Sequence, residues 1–182
     1  MAIYKQARWV GCNKANYSTG AISHKRIVIH VAQGSAEGTI SWFNDPKAQV
    51  SAHFINPKVG RMIQFVDTNE TAWHCASYNG ESIGVEHEGM AGESLNKNQR
   101  DNLEKFFIWA KATHGSTLVY TTDVNANGVI GHGKLGVAGG DHPSCPGEPI
   151  LADVNKILKG LTKKPVVLKV PPRIPPFVPQ GD

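Results

Sequence analysis

No apolar run in this chain approaches the roughly 18 residues that would span a bilayer, and the opening MAIYKQARWVGCNKAN lacks the apolar centre of a secretory signal. The expectation is a chain made in the cytoplasm without a signal peptide and without membrane insertion. Cysteine is scarce. Cys12, Cys75 and Cys145 are odd in number and have no framework spacing, which argues against a disulfide scaffold and leaves metal binding or packing as their uses. Charge of one sign is not strongly in excess: 19 Lys and Arg against 15 Asp and Glu give +4. That small surplus favours an anionic polymer as partner. The basic residues form no patch interleaved with aromatics, so nucleic acid is not expected.

What is present suffices for one packed domain, since 182 residues with 40% hydrophobic content can bury a substantial core. A monomer is expected. Residues 1–25 mix Gly, Asn, Ser and Lys with isolated aromatics and read as an irregular arm on the domain, which itself occupies 26–161. Residues 162–182 hold six of the eleven prolines and read as an extended tail or linker. RIVIHVA, from Arg26 to Ala32, is a β-branched run suited to a strand covered on both faces. A short helix is expected near Thr39 to Asn44, capped by Thr39 and ended by Pro46. Further strands are expected around His53, Gln64, Trp73 and Glu86, with a turn at NPKVGR. Alternation in SIGVEHE sets Ile83, Val85 and His87 against Gly84, Glu86 and Glu88, so Glu86 points away from the apolar side. A long amphipathic helix is expected from Asn98 to Thr113, stopped by Gly115. The short strand VIGH then delivers His132, and a last helix runs from Pro149 to about Lys159.

The chemistry gathers in GHGKLGVAGGDHPSCPG, Gly131 to Gly147, where two histidines and a thiol share a glycine-rich loop. Three protein ligands with one open position make a catalytic zinc site. Cys145 is one candidate, and His30, at a strand end, is the distant one. His132 and His142 compete for the remaining place. Pro143 stiffens the short path from His142 to Cys145, whereas His132 leaves a long return that can wrap an ion, which favours His132. The water such a metal activates needs a base; Glu86, flanked by Gly84 and Gly89, is the preferred carboxylate, with Glu88 second. His53 and His74, each beside aromatics, read as hydrogen-bonded structural histidines.

IVIHVAQ, VSAHFIN, AWHCASYNGESIGVEHEG and GHGKLGVAGGDHPSCPG, in this order, resemble the zinc-dependent N-acetylmuramoyl-L-alanine amidases of the peptidoglycan-recognition-protein fold, a family that includes many phage endolysins. The resemblance spans Arg26 to Leu158. It implies an α/β fold with a mixed central sheet flanked by helices, and zinc at the floor of a groove. It also implies His30, His132 and Cys145 as zinc ligands, Glu86 as general base, and Trp73, His74 and Asn79 as contacts to the glycan or stem peptide. Two departures stand out. The interval from His132 to Cys145 exceeds the family's usual spacing, and the lysine the family often carries two residues before its last ligand is Pro143 here, with His142 the nearest substitute for stabilising the oxyanion. A tyrosine that some members place before the second-strand histidine is Ala52.

The expected activity is hydrolysis of the bond between N-acetylmuramic acid and L-alanine in bacterial peptidoglycan, by a phage lytic enzyme that reaches the wall after release. The competing readings are a recognition module that binds the wall without cutting it, and a cytoplasmic amidase that recycles wall fragments. Recognition modules of this fold lack the cysteine ligand, and Cys145 is present.

Overall fold

The computed structural model describes residues 2–163. The proline-rich segment expected to be a tail lies almost wholly outside them. Six strands form the central sheet: β1 (Arg8–Trp9), β3 (Arg26–Ile29), β4 (Phe54–Asn56), β5 (Ile63–Gln64), β7 (Ser82–His87) and β8 (Gly128–Gly131), in the spatial order β1-β5-β4-β7-β3-β8. Every neighbouring pair is parallel except β4 with β5, the pair joined through the NPKVGR turn. A small antiparallel pair, β2 (Tyr17–Ser18) with β6 (Thr71–Ala72), stands apart. The sheet is therefore mixed and mostly parallel, flanked by helices on both faces.

Alternation along the strands divides the core. Ile27 and Ile29 of β3, Ile83 and Val85 of β7, Phe54 of β4 and Val129 of β8 meet α2 (Lys97–His114) and α3 (Glu148–Lys163) through Leu103, Phe106, Phe107, Ile150, Val154 and Leu158. Ile55 and Ile63 face the other way, onto α1 (Ala36–Asn44) through Ala36 and Phe43, and Val28 and Ile130 pack there with Cys75 and Leu135. A strand with apolar residues on both sides reads as a continuous hydrophobic run, as RIVI does.

The helices start and stop for local reasons. The Asn96 side chain accepts from the Gln99 backbone N–H while the Gln99 side chain accepts from that of Asn96, a reciprocal capping box at the start of α2. Gly115, at φ 69°, ends that helix in the left-handed conformation. Gln99 is also buried and donates to the carbonyls of Asn56 and Glu88, tying α2 to β4 and to the segment after β7.

Three expectations need correction. Helix α1 begins at Ala36 because Ser35, not Thr39, caps it: the Ser35 Oγ accepts from Gly38 N–H, and the Thr39 hydroxyl instead donates to the Ser35 carbonyl within the first turn. The strand expected around Trp73 ends at Ala72, after which the chain coils through a short 3-10 helix at Ala76–Glu81. The arm is more regular than its composition suggests, for Arg8–Trp9 is the edge strand and Tyr4 is buried in the core.

Candidate active site

Parallel register assembles the site. In the ladder β7-β3-β8, Ile29 lies opposite both Val85 and Gly131. The next residues along the three chains are Glu86, His30 and His132. Since Val85 and Ile29 face α2 and α3, the residues that follow them turn to the opposite face, at the carboxyl ends of the strands, where open α/β sheets place their ligands. Cys145 reaches the same place from the loop before α3.

That loop closes on itself tightly. Gly133 N–H donates to the Cys145 carbonyl at 2.6 Å, and a Cβ on Gly133 would sit 2.6 Å from the Pro143 carbonyl oxygen and 2.8 Å from that of His142. Only glycine permits this approach, which brings the thiol to the histidines.

One ligand atom from each of His30, His132 and Cys145 can be chosen so that all three lie within 4.8 Å of one another, the one such group of His, Cys, Asp or Glu among the described residues. The Cys145 Sγ is 4.0 Å from His30 Nδ1. His132 has its Nε2 on the Gly139 carbonyl at 2.8 Å, which holds the hydrogen on that nitrogen and leaves Nδ1 as the free lone pair. Burial and the neighbouring histidines hold His30 well below its ordinary pKa, and burial lowers His132. Both are therefore neutral imidazoles at pH 7, the form in which a histidine can bind a metal. Burial, with Glu86 adding to it, pushes the Cys145 thiol up to about 12, so a cation must displace that proton to gain a thiolate.

Glu86 stands beside this group with Oε1 3.9 Å from His30 Nδ1. Its side chain is 16% exposed, its Oε2 is buried without a hydrogen-bond partner, and burial raises its pKa to about 8. A carboxylate oxygen left unpaired in a cleft floor awaits a proton, a water or a cation. Two imidazoles, a thiol and this unpaired oxygen suit zinc with an open position.

A cleft of about 700 Å³ opens above these residues. Trp73, His74, Asn79 and His142 all line it, but their side chains are differently engaged. Trp73 donates from Nε1 to the Ser18 hydroxyl at 2.9 Å. The Asn79 Oδ1 accepts from the backbone N–H groups of His74 and Cys75, shaping the bend after β6. His74 Nδ1 lies 3.0 Å from His30 Nε2. His142 is exposed, its ring 4.7 Å from that of His132, and it is not among the three residues grouped as a possible metal site. His53 is structural as expected: its Nδ1 accepts from Gly84 N–H and its Nε2 meets the Glu70 carbonyl. Glu88 accepts from the Lys58 backbone N–H and is absent from the cleft lining.

The opposite wall escaped the sequence reading. Trp42, 53% exposed, and Val50, 38% exposed, line the cleft with Thr39, Gln49 and Ser51. The available signal was TISWFN, in which Phe43 turns inward and its neighbour Trp42 must then face solvent.

A family model for N-acetylmuramoyl-L-alanine amidases matches residues 20–148. The chain belongs to this amidase family. The matched stretch contains all four residues gathered at the cleft floor. N-acetylmuramoyl-L-alanine amidase A of Achromobacter lyticus is 38% identical over 94 residues, which is 51% of this chain. The match spans 53% of that relative, about half its length. Among solved structures, the Staphylococcus aureus hydrolase AmiA superposes with TM-score 0.65 at 15% identity over 90% of this chain and 86% of its own. A mutant endolysin from Bacillus subtilis gives 0.64 at 20% over 88% and 99%. The endolysin amidase LysCS of Clostridium intestinale gives 0.60 at 14% over 89% and 99%. At these identities the superpositions speak for the fold.

Proposed function

We propose that this chain is a zinc-dependent N-acetylmuramoyl-L-alanine amidase that hydrolyses the amide joining the lactyl group of N-acetylmuramic acid to the L-alanine of the stem peptide. The observation that carries the reading is the convergence of His30, His132 and Cys145 beside a buried carboxylate with an unpaired oxygen. His30, His132 and Cys145 would hold the ion, which supplies Lewis acidity toward the amide carbonyl and lowers the pKa of water. Burial alone favours protonated Glu86 at pH 7, and the charge of a bound cation would favour its ionised form; as a carboxylate it takes a proton from the attacking water on Oε2 as the new C–O bond forms. It returns that proton to the departing amine as the C–N bond breaks, so the carboxylate is regenerated. His142, at the cleft edge beside His132, is placed to donate to the developing oxyanion where the family often has a lysine. Trp73 and Asn79 hold the wall on which glycan and peptide align.

A lytic role on the cell wall is the setting we favour. The net charge of +4 suits retention on an anionic wall, and structural neighbours include proteins described as endolysins. Purified walls incubated with the protein should lose turbidity and gain free L-alanine amino termini, and a zinc chelator should stop both. Wall binding with no new amino termini would make the chain a recognition module instead. Glu86→Gln should retain zinc while turnover falls by about 10²- to 10⁴-fold, the usual contribution of a positioned general base. Undiminished turnover in that variant would remove Glu86 from the mechanism. His142→Ala with unchanged kcat would leave the oxyanion to the metal alone.

A further inference from the structure

His74 lines the cleft, yet its ring is already committed. Nδ1 lies 3.0 Å from His30 Nε2. The Ser82 hydroxyl donates to the Tyr78 carbonyl and accepts from the Cys75 thiol, which leaves the Cys75 sulfur, 3.8 Å from His74 Nε2, as an acceptor for a hydrogen on that nitrogen. A neutral imidazole with its hydrogen on Nε2 offers a lone pair at Nδ1. That lone pair accepts from His30 and so holds the His30 hydrogen on Nε2. The other His30 nitrogen, Nδ1, is the one 4.0 Å from the Cys145 sulfur and 3.9 Å from Glu86, and it is left bare.

We propose that His74 is a positioning residue that fixes the tautomer and ring orientation of His30, so that Nδ1 is presented to zinc, rather than a group that contacts substrate. This rests on the zinc amidase reading above. The opposite tautomer of His30 would point an N–H at Glu86 and have no lone pair for a metal. The backbone is cut to fit this arrangement. A Cβ on Gly84 would stand 2.6 to 2.8 Å from three atoms of the His74 ring, so the glycine in SIGVEHE is the seat for that ring. Partners of this kind behind a ligating histidine set ligand basicity as well as orientation.

The test compares His74→Asn, whose Oδ1 replaces the Nδ1 acceptor, with His74→Leu, which has similar bulk and no acceptor. Zinc affinity is measured on the full chain by competition with a chromophoric chelator, and the His30 tautomer is read by ¹⁵N NMR on metal-free protein. His74→Leu should bind zinc about 10- to 100-fold more weakly, the range typical of such partners, whereas His74→Asn should stay close to the parent. Metal-free parent protein should show the hydrogen on His30 Nε2. Equal loss in both variants, unchanged affinity in a folded His74→Leu, or a parent carrying the hydrogen on Nδ1 would each overturn the proposal. The NMR arm stands even if a variant does not fold. Parent protein with the expected tautomer and no zinc affinity would instead overturn the zinc reading.

Discussion

Gly84 shows how much one missing methyl group can decide. Its backbone N–H donates to His53 Nδ1, its α-carbon faces the His74 ring, and it precedes Glu86 by two residues on the same face of β7. Gly84→Ala must therefore displace the His74 ring or shift β7, because the Cγ, Cδ2 and Nδ1 atoms that a Cβ would meet belong to the ring's body rather than to a flexible end. Overpacking of this kind costs about 1–3 kcal/mol. We expect Gly84→Ala to lower the unfolding free energy obtained from urea titration by that amount and to weaken zinc binding together with it. Lost stability with full zinc affinity would show that the ring can move without disturbing His30. The same position marks a limit of sequence reading. GVEHE drew attention to Glu86 through its alternation, but nothing in the letters said that the neighbouring glycine was vacated for a histidine ten residues earlier.

At the scale of elements, His30, Glu86 and His132 are one row of a parallel ladder, each the next residue after the paired set Ile29, Val85 and Gly131. The strands themselves were legible, because RIVI, SIGVEH and GVIG are apolar runs bounded by turns and histidines. Their adjacency was not, since pairing of Ile29 with Val85, 56 positions on, and with Gly131, 102 positions on, leaves no periodic trace. The family resemblance supplied it. Helix α1 was legible as a helix and not as a wall, for its burial depends on Phe43 packing with Phe65. It follows that Trp42 presents its ring to the cleft with nothing to do in the core. An aromatic contact of this sort contributes about 0.5–1.5 kcal/mol, so Trp42→Ala should raise KM for wall fragments roughly 3- to 10-fold while kcat holds, the pattern of lost uniform binding. A fall in kcat with constant KM would place Trp42 in the chemistry instead.

For the molecule as a whole, the large core between the sheet and α2 and α3 is built of buried apolar side chains, and of the three proposed zinc ligands Cys145 packs against it as a partly buried neighbour, so chelation should abolish turnover and lower the melting temperature while leaving far-ultraviolet circular dichroism intact. Acid should act differently. His53 and His87 are fully buried, and burial holds each at a pKa of about 4. Above pH 6.5 both are neutral whether the chain is folded or not, and they add no pH dependence. Between pH 6.5 and 4 the unfolded chain takes up protons that the folded chain refuses, so stability falls as pH falls, by up to about 1.4 kcal/mol per unit for each group. By pH 4 each removes roughly 3 kcal/mol, a large share of the 5–15 kcal/mol a domain of this size holds. Urea midpoints should therefore decline steadily across this window. His53→Asn, which keeps an acceptor for Gly84 N–H and cannot be protonated there, should flatten the decline by one histidine's share, up to about 1.4 kcal/mol per pH unit, while His30, His74, His87, His114 and His132, all lowered by burial, keep the rest. A midpoint constant down to pH 4.5, or a slope indifferent to His53→Asn, would mean that these histidines titrate in the folded protein much as they do in water.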